Sequence, residues 1–144
     1  MTIIQHASFS ANDVQIEQTQ SLYQGFLKVE RVALSHRAFQ SPQWVHVQRE
    51  LLHRPAAAGA LLYNDQQQRF ALIEQFRVGA LRDPHSPWQL EIVAGVLDGD
   101  ELPEQCIRRE CLEEAGCEVE TLTHLFGFYP SAGACSEYFD LYAA

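Results

Sequence analysis

Glu110, Glu113 and Glu114 stand three and four residues apart. On a helix that spacing puts them on one face, where like charges repel by roughly a few tenths of a kcal/mol per pair. A sequence under no other demand would set lysines among them, yet no lysine follows Lys28. A hard divalent cation would turn the repulsion into binding. Mg²⁺ prefers carboxylate and water oxygens and commonly shares its shell with substrate phosphates. The competing reading is a solvated acidic helix face, and the three glutamates taken alone favour it.

The segment around them reads as a helix. In LPEQCIRRECLEEAG (102–116) the apolar positions Cys106, Ile107, Cys111 and Ala115 recur at helical spacing. Pro103 suits a first turn and Gly116 the position just past the last. Elsewhere the pattern is β-like. Strand character runs through 20–39, which holds one or two strands, and through 41–55, 56–65, 69–80 and 88–99, then again through 117–131 and 137–144. The segments 56–65 and 69–80 read as a hairpin across the polar turn DQQQ. One central helix among strands gives a mixed α+β class.

The 144-residue length suits one folding unit of ordinary globular composition, with 47% hydrophobic and 20% charged residues. The net charge of −9 repels a phosphate backbone, so nucleic acid is not an expected partner. A small phosphate ligand would need a cation to screen it. The N-terminus lacks a basic patch followed by an apolar run, and no apolar run approaches a membrane span, so a cytoplasmic location is expected. Cys106, Cys111, Cys117 and Cys135 form no CxxC pair and read as small buried hydrophobes. Five of the six histidines, His36, His46, His53, His85 and His124, fit no ligand spacing and read as structural or surface groups.

The wider spacing decides between the two readings of the glutamates. Gly95, Glu101, Arg109, Glu110, Glu113, Glu114 and Gly116 follow the pattern G-x5-E-x7-R-E-U-x-E-E-x-G-U, with U apolar. At about 5–7% background usage, such a match by chance is on the order of 10⁻⁸ per start site. The segment resembles the signature of the Nudix hydrolases. Cys111 and Cys117 fill the two U positions, where that family usually has an aliphatic residue. The resemblance implies Mg²⁺, with Mn²⁺ as a substitute, bound against a diphosphate. By the same resemblance Glu110 and Glu114 are the principal ligands, and Glu113 is a further one, direct or through water. The carbonyl of Ala94 is another. Arg109 orients the carboxylates, Glu101 braces the loop, and Gly95 permits a tight backbone path. Glu113, Glu114, Arg109 and Glu101 make up the implied catalytic set.

The flanks narrow the family. IEQFR (73–77), WQLEIVAGVLDGDE (88–101) and YPSAGACSE (129–137) are similar to the bacterial ADP-ribose pyrophosphatases. YQGFLKVERVALSHRAF resembles their N-terminal region, a small antiparallel sheet exchanged between subunits of a homodimer. The implied organisation is an N-terminal β region, 1–54, and a Nudix domain, 55–144, with a mixed sheet sandwiched by helices. The resemblance also implies that Arg77 meets the diphosphate and that Glu91 lies near the site, contacting the ribose or a water outside the metal ligands. Phe26 and Arg37 would hold the adenine, by stacking and by cation–π contact. Glu137 would lie by the terminal ribose or the metal. Proteins of this type run on well past residue 144, through a mobile loop that carries the general base, so a missing C-terminal part is expected.

The expected reaction is hydrolysis of ADP-ribose to AMP and ribose 5-phosphate. The alternatives are another nucleoside diphosphate sugar or dinucleotide, or a module that binds ADP-ribose without cleaving it.

Overall fold

The computed structural model describes residues 9–144. They form ten strands and one α-helix, in two compact units.

The first unit comprises the described residues up to Arg54 together with Ser131–Ser136. Its strands β1 (Val14–Gln24), β2 (Lys28–Arg37) and β3 (Trp44–His53) make an antiparallel sheet in that order. Sequence reading placed the first strand segment at 20–39, but β1 begins at Val14. Its first half, VQIEQTQ, mixes polar and apolar residues and is exposed along its whole length, so no buried face stamps an alternation on it. Leu52 ties the Ser131–Ser136 segment to the sheet, donating to Ala134 O at 2.8 Å and accepting from Ser136 N at 3.0 Å.

The second unit comprises Pro55–Pro130 and Glu137–Ala144. Strand β4 (Ala57–Asn64) is its centre. It pairs in parallel with β10 (Phe139–Ala143) and antiparallel with β5 (Arg69–Ala71) and β8 (Val93–Val96). Strand β9 (Thr123–Phe128) continues the sheet beyond β10. Strands β6 (Ile73–Phe76) and β7 (Trp88–Glu91) form a separate two-stranded ribbon. Thus 69–80 and 88–99 are not single strands. Each divides at one residue, Leu72 or Ile92, and its halves join different sheets. Leu72 and Ile92 are apolar, Leu72 between Ala71 and Ile73 and Ile92 just before Val93, so composition does not mark the break.

Helix α1 (Pro103–Ala115) packs on β4 and β8. Gln105 accepts at 3.0 Å from the backbone N–H of Leu102, which closes the first turn. Gly116 follows in the left-handed region at φ 61°, which a residue with a Cβ adopts only at a cost. The buried face of the helix is Cys106, Ile107 and Cys111, set against Ala58, Ala60 and Leu62 of β4, Val93 of β8 and Tyr142 of β10. Alanines on β4 let the helix approach closely. Burying Ile107 completely contributes about 1.5–3 kcal/mol. Two cysteines thus lie in the core, but Cys117 is exposed and Cys135 half-buried. The left-handed turn at Gly116 carries Cys117 off the helix face. Among the described residues no helix is long and apolar enough to cross a membrane.

Candidate active site

The site is built where β8 passes through a loop into α1. Asp98 and Glu101 close the loop on itself. The Glu101 N–H donates to Asp98 O at 2.9 Å, and the Asp98 N–H donates to Glu101 Oε2 at 3.2 Å. Gly99 takes a positive φ of 55° inside this turn. Arg109, on the second turn of α1, then reaches back. Its Nε donates to Glu101 Oε1 at 3.0 Å and its Nη2 to Glu101 Oε2 at 2.9 Å. This two-point fork is the strong geometry for an arginine–carboxylate pair. Arg109 Nη2 also meets Val96 O at 3.3 Å, so one guanidinium joins the strand, the loop and the helix. Hydrogen bonding to Arg109 holds the Glu101 carboxyl down to about 2, helped by the Asp98 N–H and opposed by partial burial. The same bonds raise Arg109 further above its already high range.

The other nitrogen of Arg109 serves the helix. Nη1 lies 2.6 Å from Glu110 Oε1 and 3.3 Å from Glu113 Oε2. The Glu110 side chain is only 13% exposed and lies directly over Gly95, so that a Cβ there would run into its carboxyl. Glu113 is 60% exposed. Glu114 is bound differently: Gln75 Nε2, on β6, donates to its Oε1 at 2.5 Å. Its other oxygen, Oε2, is buried with no hydrogen-bond partner. A buried carboxylate oxygen in that condition carries an uncompensated desolvation cost, which a cation would relieve.

Three carboxylates do not converge here. Among the described residues no group of three His, Cys, Asp or Glu side chains is gathered as a metal cluster. Glu110 and Glu113 turn toward Arg109 instead, and the guanidinium occupies the place of a counter-charge. The donor set still suits a hard divalent ion. It is all oxygen, Glu110 and Glu114 lie one turn apart on one face, and one oxygen of Glu114 lacks a partner.

Arg77, the residue after β6, reaches diagonally to Glu91 at the end of β7. Arg77 Nε donates to Glu91 Oε1 at 2.9 Å and Oε2 at 3.1 Å, and Nη2 to Oε2 at 2.8 Å. The Glu91 bond raises the Arg77 pKa; burial opposes this, and the charges of Glu91 and Glu114 add to it. Ala94 lies on β8 opposite Gly59. Glu137, partly buried, belongs to the same unit. Phe26 and Arg37 belong to the other unit, each in its own surroundings. Phe26 is fully exposed. Arg37 lies 4.4 Å over the Trp44 ring and donates to Pro42 O at 2.8 Å. The structure therefore gathers Arg109, Glu101, Glu110 and Glu113 in one network, with Glu114 on the same helix and Arg77–Glu91 on the adjoining ribbon.

Three participants escaped sequence reading: Gln75, Asp98 and the carbonyl of Val96. Gln75 lies inside the quoted IEQFR run, but a lone glutamine has no spacing that announces a partner 39 residues away. A cavity of about 770 Å³ lies elsewhere, between the β4–β5 hairpin and the 117–121 loop, and none of these side chains lines it.

Loop, helix and carboxylates follow one family's plan, and the chain belongs to the Nudix family: the NUDIX domain model matches residues 53–143. Within it, the chain is 39% identical over 146 residues to the ADP-ribose pyrophosphatase of Haemophilus influenzae, covering 99% of this chain and 66% of that protein. It is 36% identical over 130 residues to the ADP-ribose pyrophosphatase of Escherichia coli K12, covering 90% of this chain and 62% of that one. A GDP-mannose pyrophosphatase of Citrobacter koseri is 43% identical over 97 residues, 67% of this chain and 50% of the relative. The chain thus spans about two thirds or less of the length of these curated relatives. A crystal structure of an ADP compounds hydrolase superposes with a TM-score of 0.70 at 22% identity, over 95% of this chain and 69% of that one, and shares its fold.

Proposed function

We propose that this chain is a metal-dependent pyrophosphohydrolase that cleaves ADP-ribose to AMP and ribose 5-phosphate. The observation that carries the reading is the unpartnered, buried Oε2 of Glu114, one helical turn from Glu110 in a Nudix loop–helix. The ADP-ribose pyrophosphatases among its relatives, matched over nearly the whole chain, support the substrate.

Glu110 and Glu114 would hold the ion, with Glu113 and the Ala94 carbonyl beside them. A bound divalent ion supplies charge neutralisation at the phosphate oxygens and a lower pKa for water. Arg109 holds Glu110 in place and fixes the loop through Glu101. Arg77 offers a guanidinium to the diphosphate, and its fork to Glu91 sets the plane from which it would do so. Water adds to one phosphorus and the bond from that phosphorus to the bridging oxygen breaks. Glu113, 60% exposed against 13% for Glu110, is open to water.

A homodimer stays part of this proposal. Strand β1 leaves Val14, Ile16, Leu22 and Tyr23 exposed, apolar surface that a second copy would cover. Adenine contacts from Phe26 and Arg37 belong with it.

The GDP-mannose relative supports a second reading, in which the sugar nucleotide differs and the diphosphate chemistry does not. Comparing kcat/KM for ADP-ribose and GDP-mannose tests the choice. A clear preference for ADP-ribose is expected, and faster turnover of GDP-mannose would transfer the assignment.

A further inference from the structure

Gln75 and Arg109 treat their carboxylates in opposite ways. Arg109 brings a full positive charge to Glu110. Gln75 brings a neutral donor to Glu114, 39 residues away in sequence, and leaves that carboxylate's charge in place. Since a carboxylate can only accept, the amide must turn its nitrogen toward it. The bond fixes one oxygen, Oε1, and with it the direction of the other. That other oxygen is the one buried without a partner. Strand β6 is suited to the task. It is anchored to β7 by the pairs Gln75↔Gln89 and Phe76↔Trp88, and Gln89 is itself held, donating to Ser86 O at 2.7 Å. Gln75 is half-buried on the ribbon, so its donor is shielded from competing water.

We propose that Gln75 is a positioning residue for divalent-ion binding. It locks the Glu114 side chain so that Oε2 is held in one direction as a ligand. A lysine or arginine at this place would fix the carboxylate equally well but compete with the ion. A leucine would leave it free to rotate, and ordering it would then oppose binding. Groups that orient a metal ligand from outside commonly change affinity by about 10- to 100-fold. The inference rests on the proposed metal-dependent hydrolase, and its test uses binding rather than turnover.

The experiment is calorimetric titration of Mn²⁺ into the full chain without substrate, for the native protein, Gln75→Leu and Gln75→Asn, with thermal unfolding of the metal-free proteins alongside. Gln75→Leu should bind about 10- to 100-fold more weakly, at an unfolding temperature close to native. Gln75→Asn keeps the amide on a shorter stem and should fall between, separating the donor from the packing. Native-like affinity in Gln75→Leu would overturn the positioning role while leaving the hydrolase reading intact. A loss of affinity only in proportion to lost thermal stability would also overturn it. Absence of Mn²⁺ binding by the native chain would overturn both.

Discussion

Arg109 and Glu101 are joined at two points, 3.0 and 2.9 Å, across the loop that leads into α1. They lie eight positions apart in the chain, and neither belongs to the set proposed to hold the ion. The pair is therefore a structural clasp whose effect is electrostatic positioning: the guanidinium anchored by Glu101 is the one that meets Glu110.

This clasp predicts a signature in acid. The folded-state pKa of Glu101, about 2, lies below its unfolded value of 4.5, because Arg109 favours the charged form. Its contribution is therefore fully present above about pH 4.5 and disappears as pH falls toward about 2. Glu101→Gln should unfold at a lower temperature than the native chain at pH 7, with the gap closing across that window. A gap that stays constant from pH 7 to pH 2 would contradict the clasp.

Gly95→Ala tests how tightly Glu110 is seated. A Cβ at residue 95 would meet the Glu110 carboxyl, the end of a side chain rather than backbone. The fold should survive while the carboxylate is pushed aside. Since a displacement of about 1 Å can cost about 100-fold in rate, turnover should fall by that order with little change in unfolding temperature. Native-like activity would show that the close approach of Glu110 is not needed.

Arg77→Ala should raise KM for ADP-ribose by about tenfold or more, since a charge-assisted bond is worth about 1.5–3 kcal/mol. Steady-state kinetics measure it. An unaltered KM would remove Arg77 from the diphosphate subsite and leave it as the partner of Glu91 alone.

The thiols should divide sharply. Burial pushes Cys106 and Cys111 up to about 11, and both are fully enclosed. A thiolate-selective reagent at pH 8 should label Cys117 rapidly and these two only on unfolding. Mass spectrometry of the native protein reads the result, and early labelling of Cys111 would show that the helix opens.

These particulars also show what the sequence could carry. The helix was legible because its evidence is local: Cys106, Ile107 and Cys111 recur at helical spacing between Pro103 and Gly116. The glutamates became legible through their fixed distance from Gly95 and Arg109. What was illegible is non-local. The breaks at Leu72 and Ile92 arise from the choice of strand partner, since β5 joins β4 while β6 joins β7. Nothing in the local sequence around Leu72 or Ile92 records that choice. Gln75 is invisible for the same reason, as its meaning lies in Glu114. Cys117 was read from its residue type, and the turn at Gly116 overrode the type. The turning of Glu110 and Glu113 to Arg109, instead of into a three-carboxylate cluster, is likewise a matter of side-chain rotamers that no spacing encodes.

The most direct test is release of AMP from ADP-ribose by the 144-residue chain, followed by chromatography with Mg²⁺ and with excess chelator, beside Glu110→Gln. The account predicts release that depends on Mg²⁺, stops with chelator, and is abolished in Glu110→Gln at an unchanged fold. Release that persists in chelator, or that Glu110→Gln leaves intact, would contradict it.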